Sequence, residues 1–119
     1  MKLAYKLVVT VLFSLFCITA YADNWTFLDG SAITYFTNKD KDLMEGNVLS
    51  ALNRLPDGKK STWKNPATGA WGYAIPSKTA IKNGNRCRTV TVFNSARQTT
   101  GQAVYRLCKI NNQWEIVGN

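Results

Sequence analysis

The sequence predicts an α+β fold: one N-terminal amphipathic helix packed on an antiparallel β-meander of four to five strands, with one disulfide. Three observations point there. Met44, Val48, Leu52 and Leu55 recur at helical spacing in a single stretch. From Lys59 onward the chain reads as alternating runs separated by Pro, Gly and Asn turn signals. Cys87 and Cys108 fall in two neighbouring runs of that region.

Taken in order, residues 1–22 read as an export signal. Lys2 and Lys6 precede an apolar run from Leu7 to Phe16, and Ala20 and Ala22 are small residues at the two positions a signal peptidase reads. A membrane-spanning reading fits less well, because Leu7 to Ala22 falls short of the roughly 20 apolar residues a span needs. Cys17 raises a lipoprotein reading, but bulky Phe16 stands where a small residue belongs, so the sequence argues against a lipid anchor. Residues 23–36 form an aromatic lead-in around Asp29-Gly30, either a hairpin or an irregular segment that packs Trp25, Phe27, Leu28, Tyr35 and Phe36 on the core.

The domain proper is read as residues 37–119. Thr37 and Asp40 have capping-box spacing, and Asp40, Asp42 and Glu45 crowd the first turns, where the helix dipole favours negative charge. The apolar stripe is a core face, and Pro56-Asp57-Gly58 stops the helix. A short strand then ends at Trp63, and Asn65 to Gly69 make a hairpin loop. Trp71, Tyr73 and Ile75 alternate with Gly72 and Ala74, giving the next strand one large and one small face. Asn83-Gly84 turns. Arg88 to Phe93 and Gln102 to Ile110 form a hairpin around Asn94 to Thr100, and Asn111 to Gln113 lead into a last strand, Trp114 to Val117.

Removal of the signal leaves two cysteines in an exported chain, which reads as one structural disulfide formed in an oxidising compartment. Closing a loop of about 22 residues stabilises by roughly 3 kcal/mol in the chain-entropy account. If Cys87 faces Cys108, Thr89, Thr91, Val104 and Arg106 share their face, and Val90, Val92, Tyr105 and Leu107 take the opposite one toward the helix. The staple then lies on the outer face.

Composition narrows the function. With 45% hydrophobic and 18% charged residues, the chain is globular in type. It has no histidine, which excludes Ser-His or Cys-His nucleophilic catalysis, histidine-ligated zinc and a histidine general base. Asp40, Asp42 and Glu45 are explained by the helix start, and Ser61, Ser77 and Ser95 read as turn residues without a base nearby, so no catalytic residue, cofactor or metal is expected. The formal charge is +8 for the chain and +6 after residue 22, from 13 Lys plus Arg against 7 Asp plus Glu. No acid lies between Asp57 and Glu115, whereas ten Lys and Arg do, so the helix carries the acids and the sheet the bases. Two readings stand: soluble outward positions on strands and turns, or a face for an anionic envelope polymer such as peptidoglycan or lipopolysaccharide. Lys64, Trp71, Tyr73, Arg88 and Arg106 are the residues expected to carry the second. Nucleic acid lacks a reading motif here.

A family resemblance rests on particular runs: Ala51-Leu52-Asn53-Arg54-Leu55-Pro56-Asp57-Gly58, then Ser61-Thr62-Trp63-Lys64-Asn65-Pro66-Ala67-Thr68-Gly69, Tyr73 to Pro76, Cys87-Arg88, and a second cysteine before Gln113 to Val117. Together these resemble the C-terminal domain of the 17 kDa outer-membrane surface antigens of Gram-negative bacteria. Many relatives carry a glycine-zipper segment that this sequence lacks. The resemblance implies an exported, non-enzymatic protein of the periplasm, outer membrane or cell surface, with a binding or scaffolding role and another envelope protein or polymer as partner. A secreted inhibitor of an extracellular enzyme is the remaining alternative. The mature protein should have the intact mass of a 97-residue chain starting at Asp23, without free thiols. A chain retaining residues 1–22, or two alkylatable cysteines, would contradict this.

Overall fold

The structure, a computed structural model, describes residues 31–118. The export segment with Ala20 and Ala22, and Trp25, Phe27, Leu28 and the Asp29-Gly30 turn of the lead-in, lie outside the described residues. A 3₁₀ turn (Ser31–Tyr35) leads into helix α1 (Asn38–Arg54), followed by β1 (Ser61–Lys64), β2 (Trp71–Lys82), β3 (Asn85–Ala96), β4 (Thr99–Ile110) and β5 (Gln113–Gly118). Each strand pairs antiparallel with the next, so spatial order equals chain order. The sheet has five strands, and α1 precedes all of them.

Helix α1 starts as its sequence dictates. The Thr37 hydroxyl accepts from the Asp40 backbone N–H at 3.2 Å, and the Asp40 carboxylate accepts from the Thr37 backbone N–H at 2.9 Å. The box does more than cap. Asp40 is fully buried, and its other oxygen accepts from Asn65 Nδ2 and the Thr68 hydroxyl, both at 2.8 Å. Burial by itself raises a carboxyl pKa, but the Thr37, Thr68 and Asn65 hydrogen bonds outweigh it and hold Asp40 below the ordinary value. The first turn is thereby tied to the β1–β2 loop.

The other end is held by a cation. Arg88, expected on a surface for an anionic partner, is only 1% exposed and must be removed from that set. Its Nη1 donates to the carbonyls of Ala51 (3.0 Å) and Leu52 (2.8 Å), and its Nη2 to the carbonyl of Leu55 (2.6 Å) and to Asp57 Oδ1 (3.0 Å). Its Nε donates to the Thr79 hydroxyl at 2.8 Å. Strand parity is the reason: Arg88 alternates with Cys87 and so points, with Val90 and Val92, toward the helix.

Met44, Val48, Ala51 and Leu52 of α1 meet Trp63, Ala74, Val90, Val92, Leu107 and Trp114 in one core. The end of the lead-in joins it through Ala32, Ile33 and Phe36, with Phe36 edge-on to Trp63 at 5.3 Å. Tyr35 instead remains 45% exposed, with the Arg97 guanidinium over its ring. On β2 the small face is the one that turns inward. A Cβ on Gly72 would collide with the Phe93 carbonyl and lie 2.7 Å from both Asn94 Oδ1 and Trp63 Nε1, so glycine is required there. Polar ties also lock the helix laterally: Asn47 to Ser61, and Asn53 Oδ1 accepting from Trp114 Nε1 at 2.9 Å and Lys109 Nζ at 3.2 Å.

Cys87 and Cys108 are bonded and directly opposite, with Thr89 facing Arg106, Thr91 facing Val104 and Val90 facing Tyr105. The expected register and the outer-face staple are both present, with the cysteines themselves buried. The β3–β4 connection differs from expectation. Instead of a loop from Asn94 to Thr100, the strands run on to Ala96 and Thr99 and turn through Arg97 and Gln98, both left-handed (φ 49° and 63°). Asn83-Gly84 and Asn111-Asn112 turn likewise with positive φ at both positions, as right-twisted two-residue hairpins require. Ser61, Ser77 and Ser95 lie in strands rather than turns.

Asp57 gives the fold an acid limit. Hydrogen bonds from the Thr79 hydroxyl, the Thr79 backbone and Arg88 lower its pKa from 3.8 to about 2. A depressed carboxyl stabilises the fold above its ordinary pKa and stops doing so as pH falls through the folded value. Asp57→Asn should therefore melt below the wild type near neutral pH, and the two curves should converge as pH falls from 3.8 to about 2. A gap that stays constant across that window would contradict the assignment.

A candidate binding face on the open side of the sheet

Helix α1 and the 3₁₀ turn cover one side of the sheet, and no described element covers the other. Alternation and register decide what the open side shows. Lys64 of β1 stands opposite Trp71 of β2, and Tyr73 stands opposite Phe93 of β3. Thr91 and Val104, then Thr89 and Arg106, continue the face toward the disulfide, and Glu115 of β5 lies beside Cys108.

The aromatics form a pile. Tyr73 and Phe93 stack at 5.0 Å with 12° between their planes, and Trp71 leans on Phe93 at 5.2 Å. Lys60 Nζ sits 4.2 Å from the Tyr73 centroid. Because β1 and β3 flank β2 on opposite sides, Tyr73 is held between Phe93 and a lysine, and its ring faces are occupied. Trp71, at 39% exposed, is the aromatic that meets solvent. Arg106 is also held in place, its Nη1 donating to the Lys78 carbonyl and the Thr89 hydroxyl at 3.0 Å each.

The structure thus gathers Lys64, Trp71 and Tyr73 at one end of the face and Arg106 toward the other, and excludes Arg88. It adds Phe93 and Lys60. Phe93 shares odd parity with Cys87, Thr89 and Thr91, a signal the sequence did contain.

The charge partition also changes. Asp40 is buried and Asp57 is paired with Arg88, while Lys39, Lys41 and Arg54 accompany Asp42 and Glu45 on α1, so the helix is mixed rather than acidic. Glu115 is the single acid within the five strands. The open face is therefore basic because every acid of the described residues except Glu115 lies on the helix or in the Asp57 pair with Arg88. Among the described residues no group of His, Cys, Asp and Glu could hold a metal ion, and no helix is long and apolar enough to cross a membrane.

The scaffold of this face carries family features. Residues 50–115 match the model of the family described as 17 kDa outer membrane surface antigen. The chain belongs to that family. Among relatives, the 17 kDa surface antigen of Rickettsia prowazekii (strain Madrid E) is 32% identical over 84 residues, covering 66% of this chain and 51% of the relative. The 17 kDa surface antigens of Rickettsia rickettsii and Rickettsia australis are 31% and 39% identical over 84 and 70 residues, covering 66% and 55% of this chain and 51% and 46% of the relatives. The chain spans about half the length of the curated relatives it matches. No solved structure matches. The matched segment of this surface antigen domain begins within α1 and ends in β5, so it includes the helix end held by Arg88 and the open face as far as Glu115.

Proposed function

We propose that this surface antigen domain belongs to a non-enzymatic, exported protein of the bacterial envelope or surface, and that it binds an anionic envelope polymer through the open side of its sheet. The observation carrying the reading is the uncovered face itself: exposed Trp71 beside Lys64 and Lys60 over the neighbouring Tyr73 at one end, Arg106 at the other, and Glu115 as the strands' only acid. Aromatic edges beside cations suit polymers that combine sugar rings with phosphate or carboxylate groups.

Export is supported by the family description, by the pattern of residues 1–22 and by a disulfide that needs an oxidising compartment. The absence of histidine from the sequence and the structural use of Asp40 and Asp57 support a role without catalysis.

Purified protein should be retained on peptidoglycan sacculi or lipopolysaccharide at low salt and released as salt rises, because exposed charges are screened within about 10 Å at 0.1 M. Trp71→Ala combined with Lys64→Gln should weaken retention with little change in melting temperature. No retention at low salt, or retention indifferent to salt, would defeat the proposal.

A further inference from the structure

At the disulfide end of the open face the sheet forms a cleft of about 310 Å³, between the β2–β3 turn and the β4–β5 edge. Its polar lining is Lys82, Asn83, Asn85 and Arg106, with Ile110 and Val117 as apolar walls and Cys108 among its lining. No Asp or Glu lines it. Its volume stands at the low end of small-molecule sites, the size class of one sugar-sized unit rather than a polymer segment.

Three features make this a built site rather than a gap. Arg106 does not swing freely: Lys78 and Thr89 fix its Nη1, so the guanidinium is positioned without a ligand. Asn83 opens the tight β2–β3 turn in left-handed backbone and Asn85 closes it, paired across the hairpin with Lys82, so the three residues are held together on a fixed backbone. Two side chains of the β4–β5 end, Ile110 and the 54% exposed Val117, close the opposite wall with aliphatic surface.

The lining selects a chemistry. Two cations line the cleft while the one acid of the strands, Glu115, stands beside Cys108 outside that lining, which favours an anion of more than one charge, and a phosphate monoester carries about −1.5 to −2 at neutral pH. A guanidinium fork meets phosphate oxygens in bidentate fashion, while the lysine acts as a point charge. The carboxamides offer donors and acceptors to hydroxyls, and the aliphatic wall suits the C–H face of a ring. We propose that this cleft binds a sugar phosphate, recognised by Arg106 and Lys82 at the phosphate and by Asn83 and Asn85 at the ring hydroxyls. The inference rests on the envelope-polymer reading only for the source of the ligand, either a phosphorylated sugar of an envelope glycolipid or a free sugar phosphate.

Glucose 1-phosphate titrated into ¹⁵N-labelled protein should give saturable shifts at residues 82–85, 106–110 and 117–118, with glucose giving none. Lys82→Gln, an exposed substitution that leaves the fold intact, should weaken that binding about tenfold, the order expected for a lost charge-assisted hydrogen bond. Arg106→Gln should weaken it further, its fold checked by the retained disulfide and cooperative unfolding. Vesicles with and without a phosphorylated glycolipid separate the sources: co-sedimentation only with it, abolished by Lys82→Gln, assigns a lipid-borne sugar, and binding of the soluble compound alone assigns a free one. Equal shifts with glucose, shifts centred on Lys60 and Lys64, or affinity unchanged in Lys82→Gln would overturn the site. Soluble binding that survives Trp71→Ala, in a protein not retained on polymer, would leave the cleft standing and remove only the polymer reading.

Discussion

Helix α1 is gripped at both ends by buried charges of the sign its dipole favours, and the rest of the molecule follows from that arrangement. Asp40 sits at the N-terminal turn and Arg88 at the C-terminal carbonyls. Aligned peptide units place partial positive charge at a helix start and partial negative charge at its end, so each buried side chain is stabilised by the end it touches. Neither is exposed to water, and each is satisfied by several partners, the condition under which a buried charge is tolerable. Asp40 manages with neutral donors, whereas Arg88 combines three backbone carbonyls with one carboxylate.

These grips commit one side of the sheet to the helix and leave the other open. Arg88 and Cys87 are adjacent on β3, so fixing the arginine toward the helix fixes the disulfide on the far side. The same parity places Gly72 and Ala74 under the helix and Trp71 and Tyr73 outside, an inversion of the usual preference for burying the larger residues. The outward aromatics recover part of their burial by piling on Phe93 and under Lys60. Because both clamps and the helix use acids, little negative charge remains to balance the open face.

Much of this was legible in the sequence, for identifiable reasons. The capping box, the apolar stripe and the Asn-Gly and Asn-Asn turns are local signals and appear where expected. The cysteine pair set the β3–β4 register, and alternation then sorted both faces. The Arg97-Gln98 turn was hidden because neither residue favours left-handed backbone, and only the continuing strand pairing imposes it. Alternation on β2 separated a large from a small face without saying which one the helix covers, since that depends on tertiary neighbours such as Trp63 and Asn94 that close over Gly72. Arg88 was misread from its residue type, although its parity with Val90 and Val92 already placed it on the helix side. Charge shows what a side chain can do; position shows whether solvent can reach it.

The double grip on α1 is tested most directly by equilibrium denaturant unfolding of Arg88→Met. Methionine can fill the space but offers no donors, so the carbonyls of Ala51, Leu52 and Leu55 lose their shared partner. The expected loss is about 3 kcal/mol or more, because several buried carbonyls lose a donor at about 1–3 kcal/mol each, whereas Asp57, 45% exposed, is left in contact with water. A loss within about 0.5 kcal/mol, the ordinary cost of a surface substitution, would show that the helix is held by its apolar stripe alone and that the charged grip is incidental.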